Sequence, residues 1–164
     1  GYIHGENRFF FLMGFIDVFH REIAGYHIGL RCQAKDIIFT LEEALQKHGV
    51  DPSGLVIRSD NGSQMTSHQF RRYVEGLGLE HEFTPPSTPD KNAFIESFFA
   101  VFEAEFLQTH RFETYEEAYI ATMNFIQFYN ETRLHGSLKF MSPKEFFMEW
   151  TKKNNYEKQK QLAA

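Results

Sequence analysis

The chain has 164 residues, 42% hydrophobic and 16% aromatic, enough for one well-filled core and short for two. Seventeen basic against 22 acidic residues leave a net charge of −5, which excludes a chain that grips nucleic acid by net charge alone; a polyanion would have to meet a local basic patch, a metal ion or another domain. The single cysteine, Cys32, excludes an internal disulfide and no apolar run is long enough to span a bilayer, so a soluble, cytoplasmic protein is expected.

The opening GYIHGEN lacks an initiator methionine, which suggests a segment of a longer protein. Arg8 to Phe19 is a near-continuous apolar run, as expected for a mid-sheet strand covered on both faces, and Glu22 to Gly29 can pair back on it as a hairpin. Ala34, Ile37, Ile38, Leu41 and Leu45 recur at helical spacing before Gly49, a suitable terminating residue. Leu55 to Ser59 reads as a short buried strand that runs into Asp60-Asn61-Gly62. Ser67 caps a helix with Phe70, Tyr73, Val74 and Leu77 on its apolar face, and Glu80 to Pro85 reads as a brief edge strand. Thr84 to Asn92 holds three of the five prolines and is expected to be an irregular, gating loop. A helix is predicted from Ala93 to about Gln108, with Ile95, Phe98, Phe99, Phe102 and Phe106 on its apolar side. Further helices start at Thr114, through a capping box with Glu117, and at Ser142-Pro143. The pattern is that of one layered α/β domain over residues 1–150, followed by a polar tail over 151–164 that extends the last helix or frays.

Two acids stand out. Asp60 ends a strand and enters a sharp turn, which delivers its carboxylate to the carboxyl edge of a sheet; the plain alternative is a turn-starting aspartate. Glu96 lies among apolar helix residues, where a carboxylate is costly without a partner or cation, and Asn92 and Ala100 share its face; the plain alternative is a glutamate on the helix rim. Two such carboxylates suit magnesium, which takes oxygen ligands and is commonly held by one or two acids plus substrate phosphates. No zinc, EF-hand, Walker or dinucleotide motif occurs, so no small-molecule cofactor is expected and metal-assisted phosphoryl chemistry stays open.

Four stretches in order, FIDVFHREIAGYHI, IRSDNGSQMTS, NAFIESFF and FYNETRLHGSLKFMSPKEF, resemble the catalytic core of bacterial insertion-sequence transposases of the retroviral-integrase type. The 35 residues between Asp60 and Glu96 (61 to 95) match that family's interval. The resemblance implies a ribonuclease H-like mixed sheet flanked by helices, with a three-acid metal site holding Mg²⁺ or Mn²⁺. It implies DNA strand cleavage and strand transfer at transposon ends, DNA as partner, and a homo-oligomer. Asp60 would be the second acid and Glu96 the third, while the first falls ahead of Gly1, which predicts an inactive fragment. Asp17 reads instead as a turn acid paired with His20 or Arg21.

The family's basic position seven residues past Glu96 is Glu103 here, so either the basic role has moved or the copy is impaired. Candidate DNA contacts are Asn61, Lys91, Asn92, Arg133 and His135, although Arg133 and His135 could equally close their own loop. Lys139 and Lys144 are candidates for the same patch, and Arg71 and Arg72 for a solvated helix face. The rival readings are a catalytically incomplete module for DNA holding or self-association, and a ribonuclease H-type nuclease or junction resolvase.

Overall fold

The computed structural model describes residues 1–84 and 92–162. It is a mixed α/β fold in the chain order β1 (Tyr2–Ile3), β2 (Arg8–Phe9), β3 (Phe11–Ile16), β4 (Ile23–Gly29), α1 (Ala34–His48), β5 (Val56–Ser59), α2 (His68–Gly76), β6 (Glu80–Phe83), α3 (Ala93–Val101), α4 (Tyr115–Glu131) and α5 (Pro143–Leu162). A π-helical turn, Phe102–Phe106, and a 3₁₀ turn, Leu107–Thr109, continue α3, and a second 3₁₀ turn, Gly136–Leu138, precedes α5.

The long apolar run breaks in two. β2 pairs with β1 and β3 with β4, both antiparallel, and between them Phe10 turns into the core at 1% exposed while Phe9 and Phe11 face outward. The expectation of one strand covered on both faces is therefore corrected: the break at Phe10 lets three consecutive aromatics divide between core and surface. The β3–β4 hairpin itself forms in the expected place, with a bulge between Phe15 and Ile16. α1 lies against β4, and the approach requires a glycine: a Cβ at Gly25 would sit 2.9 Å from the Ala44 Cβ and 3.0 Å from the Thr40 carbonyl. Gly49 ends α1 in the left-handed conformation, φ 59°.

β5 and β6 are parallel, with Ser59 opposite Phe83, and α2 makes the crossover. β5 alternates, burying Ile57 and Ser59 and exposing Val56 and Arg58, so only one face is covered. The ladder closes at one end through Gly54 N–H to the Gly78 carbonyl (3.2 Å) and at the other through Thr84 N–H to the Ser59 carbonyl (2.8 Å).

The core falls into two clusters. Ile37, Leu41, Ile57, Phe70, Val74 and Leu79 fill the space between α1, α2 and β5, with half-buried Cys32 at the edge. The larger cluster joins the hairpin to α3 and α4 through Ile23, Ile28, Phe98, Phe102, Phe106, Phe125 and Tyr129. Phe102 stacks on Phe106 with ring centres 5.0 Å apart, and Phe125 packs against both. The π-helical turn corrects the uninterrupted α-helix predicted to Gln108: one extra residue per turn keeps Phe102 and Phe106 inward while exposing Glu103 and Glu105.

Asn130 fastens α4 to the hairpin, its Oδ1 accepting from Ile23 N–H at 2.8 Å and its Nδ2 donating to the Ile23 carbonyl at 3.1 Å. Thr114 and Glu117 form the predicted capping box, and Ser142 caps α5 at the Glu145 amide (3.2 Å). α5 continues without a break through Trp150 to Leu162.

Candidate functional site

Asp60 follows immediately on the last residue of β5. Ser59 Oγ holds this point, donating to the Asp60 carbonyl (2.8 Å) and lying 2.9 Å from His81 Nε2 of β6. Asp60 Oδ1 accepts from Gly62 N–H at 3.0 Å, and Gln64 Nε2 ties the turn to the Cys32 carbonyl at 3.3 Å. The carboxylate remains exposed. It is a turn acid and a strand-end acid at once, so the two sequence readings describe the same geometry.

Glu96 stands in the first turn of α3, where the helix dipole favours a negative charge. Its amide donates to the Asn92 carbonyl at 3.2 Å, and its side chain is exposed. The expectation that an apolar setting makes this carboxylate costly is thus overturned, because Ile95 and Phe98 turn inward and leave Glu96 on the open face. Among the described residues neither Asp60 nor Glu96 has an ion-pair partner, and no group of three or more His, Cys, Asp or Glu is arranged to hold a metal ion. Both candidate donors are unpaired, solvent-facing carboxylates, the ligand type that a hard oxygen-seeking cation such as magnesium takes.

The other candidates fare differently. Asn61 is exposed beside Asp60, and Asn92 starts α3 without a capping hydrogen bond from its side chain. Lys91 and most of the predicted proline-rich loop lie outside the described residues. Arg133 is taken up by Glu105, Nε at 3.0 Å and Nη2 at 2.6 Å, which holds the Glu105 carboxyl below the usual range and raises the Arg133 pKa. His135 is half-buried with its ring edge-on to Tyr129 at 4.7 Å, and burial, followed by the nearby Arg133, lowers its pKa. Its main chain closes the loop, N–H donating to the Met141 carbonyl at 3.0 Å. The Arg133 side chain thus ties its loop to the π-helical turn, and the main chain of His135 closes the loop itself. Lys144 pairs with Glu131 at 3.0 Å; Lys139, Arg71 and Arg72 are exposed.

Asp17 pairs with His20, as its sequence context suggested. His20 Nδ1 lies 3.0 Å from Asp17 Oδ1, off the hydrogen-bonding axis and so an ion pair, while Nε2 lies 2.9 Å from Glu22 Oε2 in a hydrogen bond. His20 thereby brings the Asp17 pKa down to about 2. Burial works against the charged ring, but the two carboxylates outweigh it and raise the His20 pKa to about 9. His20 also stacks on Phe147 of α5, 4.7 Å between ring centres. The sequence reading noted the Asp17 partner and missed Glu22 and Phe147; the acid-x-x-His-x-acid spacing was the available signal.

Among the described residues no helix is long and apolar enough to cross a membrane. Two family models, both described as "Integrase core domain", match residues 1–89 and 77–143. The chain belongs to the integrase core domain family. It is 32% identical over 146 residues to the transposase for insertion sequence element IS904 of Lactococcus lactis subsp. lactis (strain IL1403), covering 88% of this chain and 57% of that protein. It is 27% identical over 144 residues to the transposase for insertion sequence element IS629 of Shigella sonnei, covering 88% of this chain and 48% of that one. The chain thus spans about half the length of these curated relatives. Its fold is similar to the crystal structure of the catalytic core domain of BIV integrase, with a TM-score of 0.60 at 17% identity over 88% of this chain and 89% of that one. A chain of the simian T-cell lymphotropic virus intasome in complex with PP2A regulatory subunit B56 gamma gives a TM-score of 0.62 at 18% identity, over 82% and 47%. These likenesses show the ribonuclease H-like integrase core fold.

Proposed function

We propose that this chain is the catalytic core of an insertion-sequence transposase that cuts and joins DNA at the ends of its element. The observation that carries the reading is the pair of exposed, uncompensated carboxylates, Asp60 at the end of β5 and Glu96 in the first turn of α3, within an integrase core domain. Asp60 and Glu96 would hold the divalent cation, with a further acid placed ahead of Gly1. When bound, Mg²⁺ or Mn²⁺ supplies Lewis-acid activation of the attacking oxygen and stabilises charge on the phosphodiester. Asp60 contributes a carboxylate whose Oδ1 is already oriented by Gly62 N–H, which lowers the entropy of forming the site. Asn61 and Asn92 flank the acids and would contact the DNA backbone, and DNA and a second copy of the protein are the partners of the reaction.

The test uses the intact protein with its residues ahead of Gly1, an end-containing DNA duplex and Mn²⁺. Asp60→Asn and Glu96→Gln are expected to reduce end cleavage and strand transfer by at least about a hundredfold each, on the scale of losing a catalytic electrostatic group. Cleavage that survives both substitutions overturns the reading. A preference for RNA–DNA hybrids or branched DNA over linear ends would assign the site to a nuclease or resolvase instead.

A further inference from the structure

The turn joining β3 to β4 reaches across to α3. Arg21 occupies a left-handed backbone position, φ 65°, which a residue with a side chain adopts only under constraint. The constraint is visible: Arg21 N–H donates to the Asp17 carbonyl at 2.8 Å, and Asp17 N–H donates to the Glu22 carbonyl at 2.8 Å. Asp17 Oδ1 also accepts from the Phe19 and His20 amides at 2.7 and 3.1 Å. So held, Arg21 extends to α3, where its Cζ lies 3.5 Å from the centre of the Phe94 ring. Nη1 of the guanidinium is buried and, among the described residues, has no hydrogen-bond acceptor, so the ring face, together with the charge of Asp17, offsets its desolvation.

Phe94 is the second residue of α3, two ahead of Glu96. The next residue, Ile95, rests on β3, its Cδ1 4.0 Å from where a Cβ on Gly14 would be. The hairpin thus grips the helix at the two residues directly before the acid. This grip matters because the first turn of a helix has unsatisfied amides and frays unless capped. Ser67, Thr114 and Ser142 accept capping hydrogen bonds at the starts of α2, α4 and α5, whereas the side chain of Asn92 makes none for α3.

We propose that Arg21 is a positioning residue: its cation–π clamp on Phe94 substitutes for the missing cap, fixes the first turn of α3, and through it sets the carboxylate of Glu96. The consequence for metal binding rests on the reading of Glu96 given under Proposed function. The clamp itself does not.

Hydrogen exchange at the Glu96 to Phe99 amides and Mn²⁺ affinity by electron paramagnetic resonance, both in the intact protein, test it. Arg21→Ala is expected to speed exchange of those amides about tenfold, leaving α4 and the hairpin amides unchanged, and to weaken Mn²⁺ binding about three- to tenfold. Arg21→Lys, which keeps a cation over the ring, should restore most of both. Phe94→Leu should reproduce Arg21→Ala, and the double variant should be no worse than either. Unchanged exchange in Arg21→Ala, or faster exchange spread equally over α4 and the hairpin, overturns the clamp. Should Asp60→Asn leave Mn²⁺ affinity intact, the metal reading fails, and the exchange measurements still judge the clamp alone.

Discussion

Replacing His20 with glutamine should make the protein's stability lose a specific dependence on pH. The His20 side chain is 8% exposed and lies between Asp17 and Glu22, with its pKa raised from 6.5 to about 9. A group whose pKa is higher in the folded state stabilises fully below its unfolded value, and the contribution disappears as pH rises through the folded value. The window therefore runs from about pH 6.5 to about pH 9. The full displacement corresponds to at most about 3 kcal/mol. The lowered pKa values of Asp17 and Glu22 come first from the same His20 contacts, with further help from backbone amides at Asp17 and from His48 and Lys47 at Glu22, and both acids titrate below this window. Asp17 is 42% exposed, and screening there reduces the expected figure to about 2 kcal/mol. Urea denaturation of the wild type and His20→Gln, at one-unit steps from pH 6 to pH 10, measures the difference between the two proteins. That difference should be largest at pH 6 and shrink by about 2 kcal/mol by pH 10, leaving a residue from the lost Phe147 stack. A difference that is flat across the range would refute the charged-histidine account.

Asn130→Ala strands the N–H and C=O of Ile23, a residue 1% exposed, and should cost about 2 to 3 kcal/mol in urea denaturation with an unchanged m-value. Arg133→Ala should lower the melting temperature by a few degrees through loss of the Glu105 pair while leaving the salt dependence of DNA binding as it was. A fall of about one in that salt slope would return Arg133 to the DNA-contacting set.

What could be read in advance follows the range of the interaction. Gly49, Ser67, the Thr114–Glu117 box and Ser142-Pro143 announce helix ends because their chemistry is complete within four residues. The antiparallel hairpin was legible because a short link joins two strand-forming runs. The π-helical turn was not: Phe98, Phe102 and Phe106 recur every fourth residue, a spacing that cannot distinguish an α-turn from one carrying an extra residue. Nor were Arg133 with Glu105 or Asn130 with Ile23, which join residues 28 and 107 positions apart. Asp60 and Glu96 stood out by residue type, but the exposure of Glu96 depended on which way α3 seats against the hairpin.

The parallel β5–β6 pair has a geometric corollary. Its crossover brings the chain at Thr84 back alongside Ser59, next door to Asp60, so the stretch from 60 to 84 closes on itself. In space the tether between the two acids is only the run from 85 to 95. Residues inserted at the far corner, near Gly78, would enlarge the excursion and leave that tether its present length, whereas a deletion between 85 and 92 would shorten it directly.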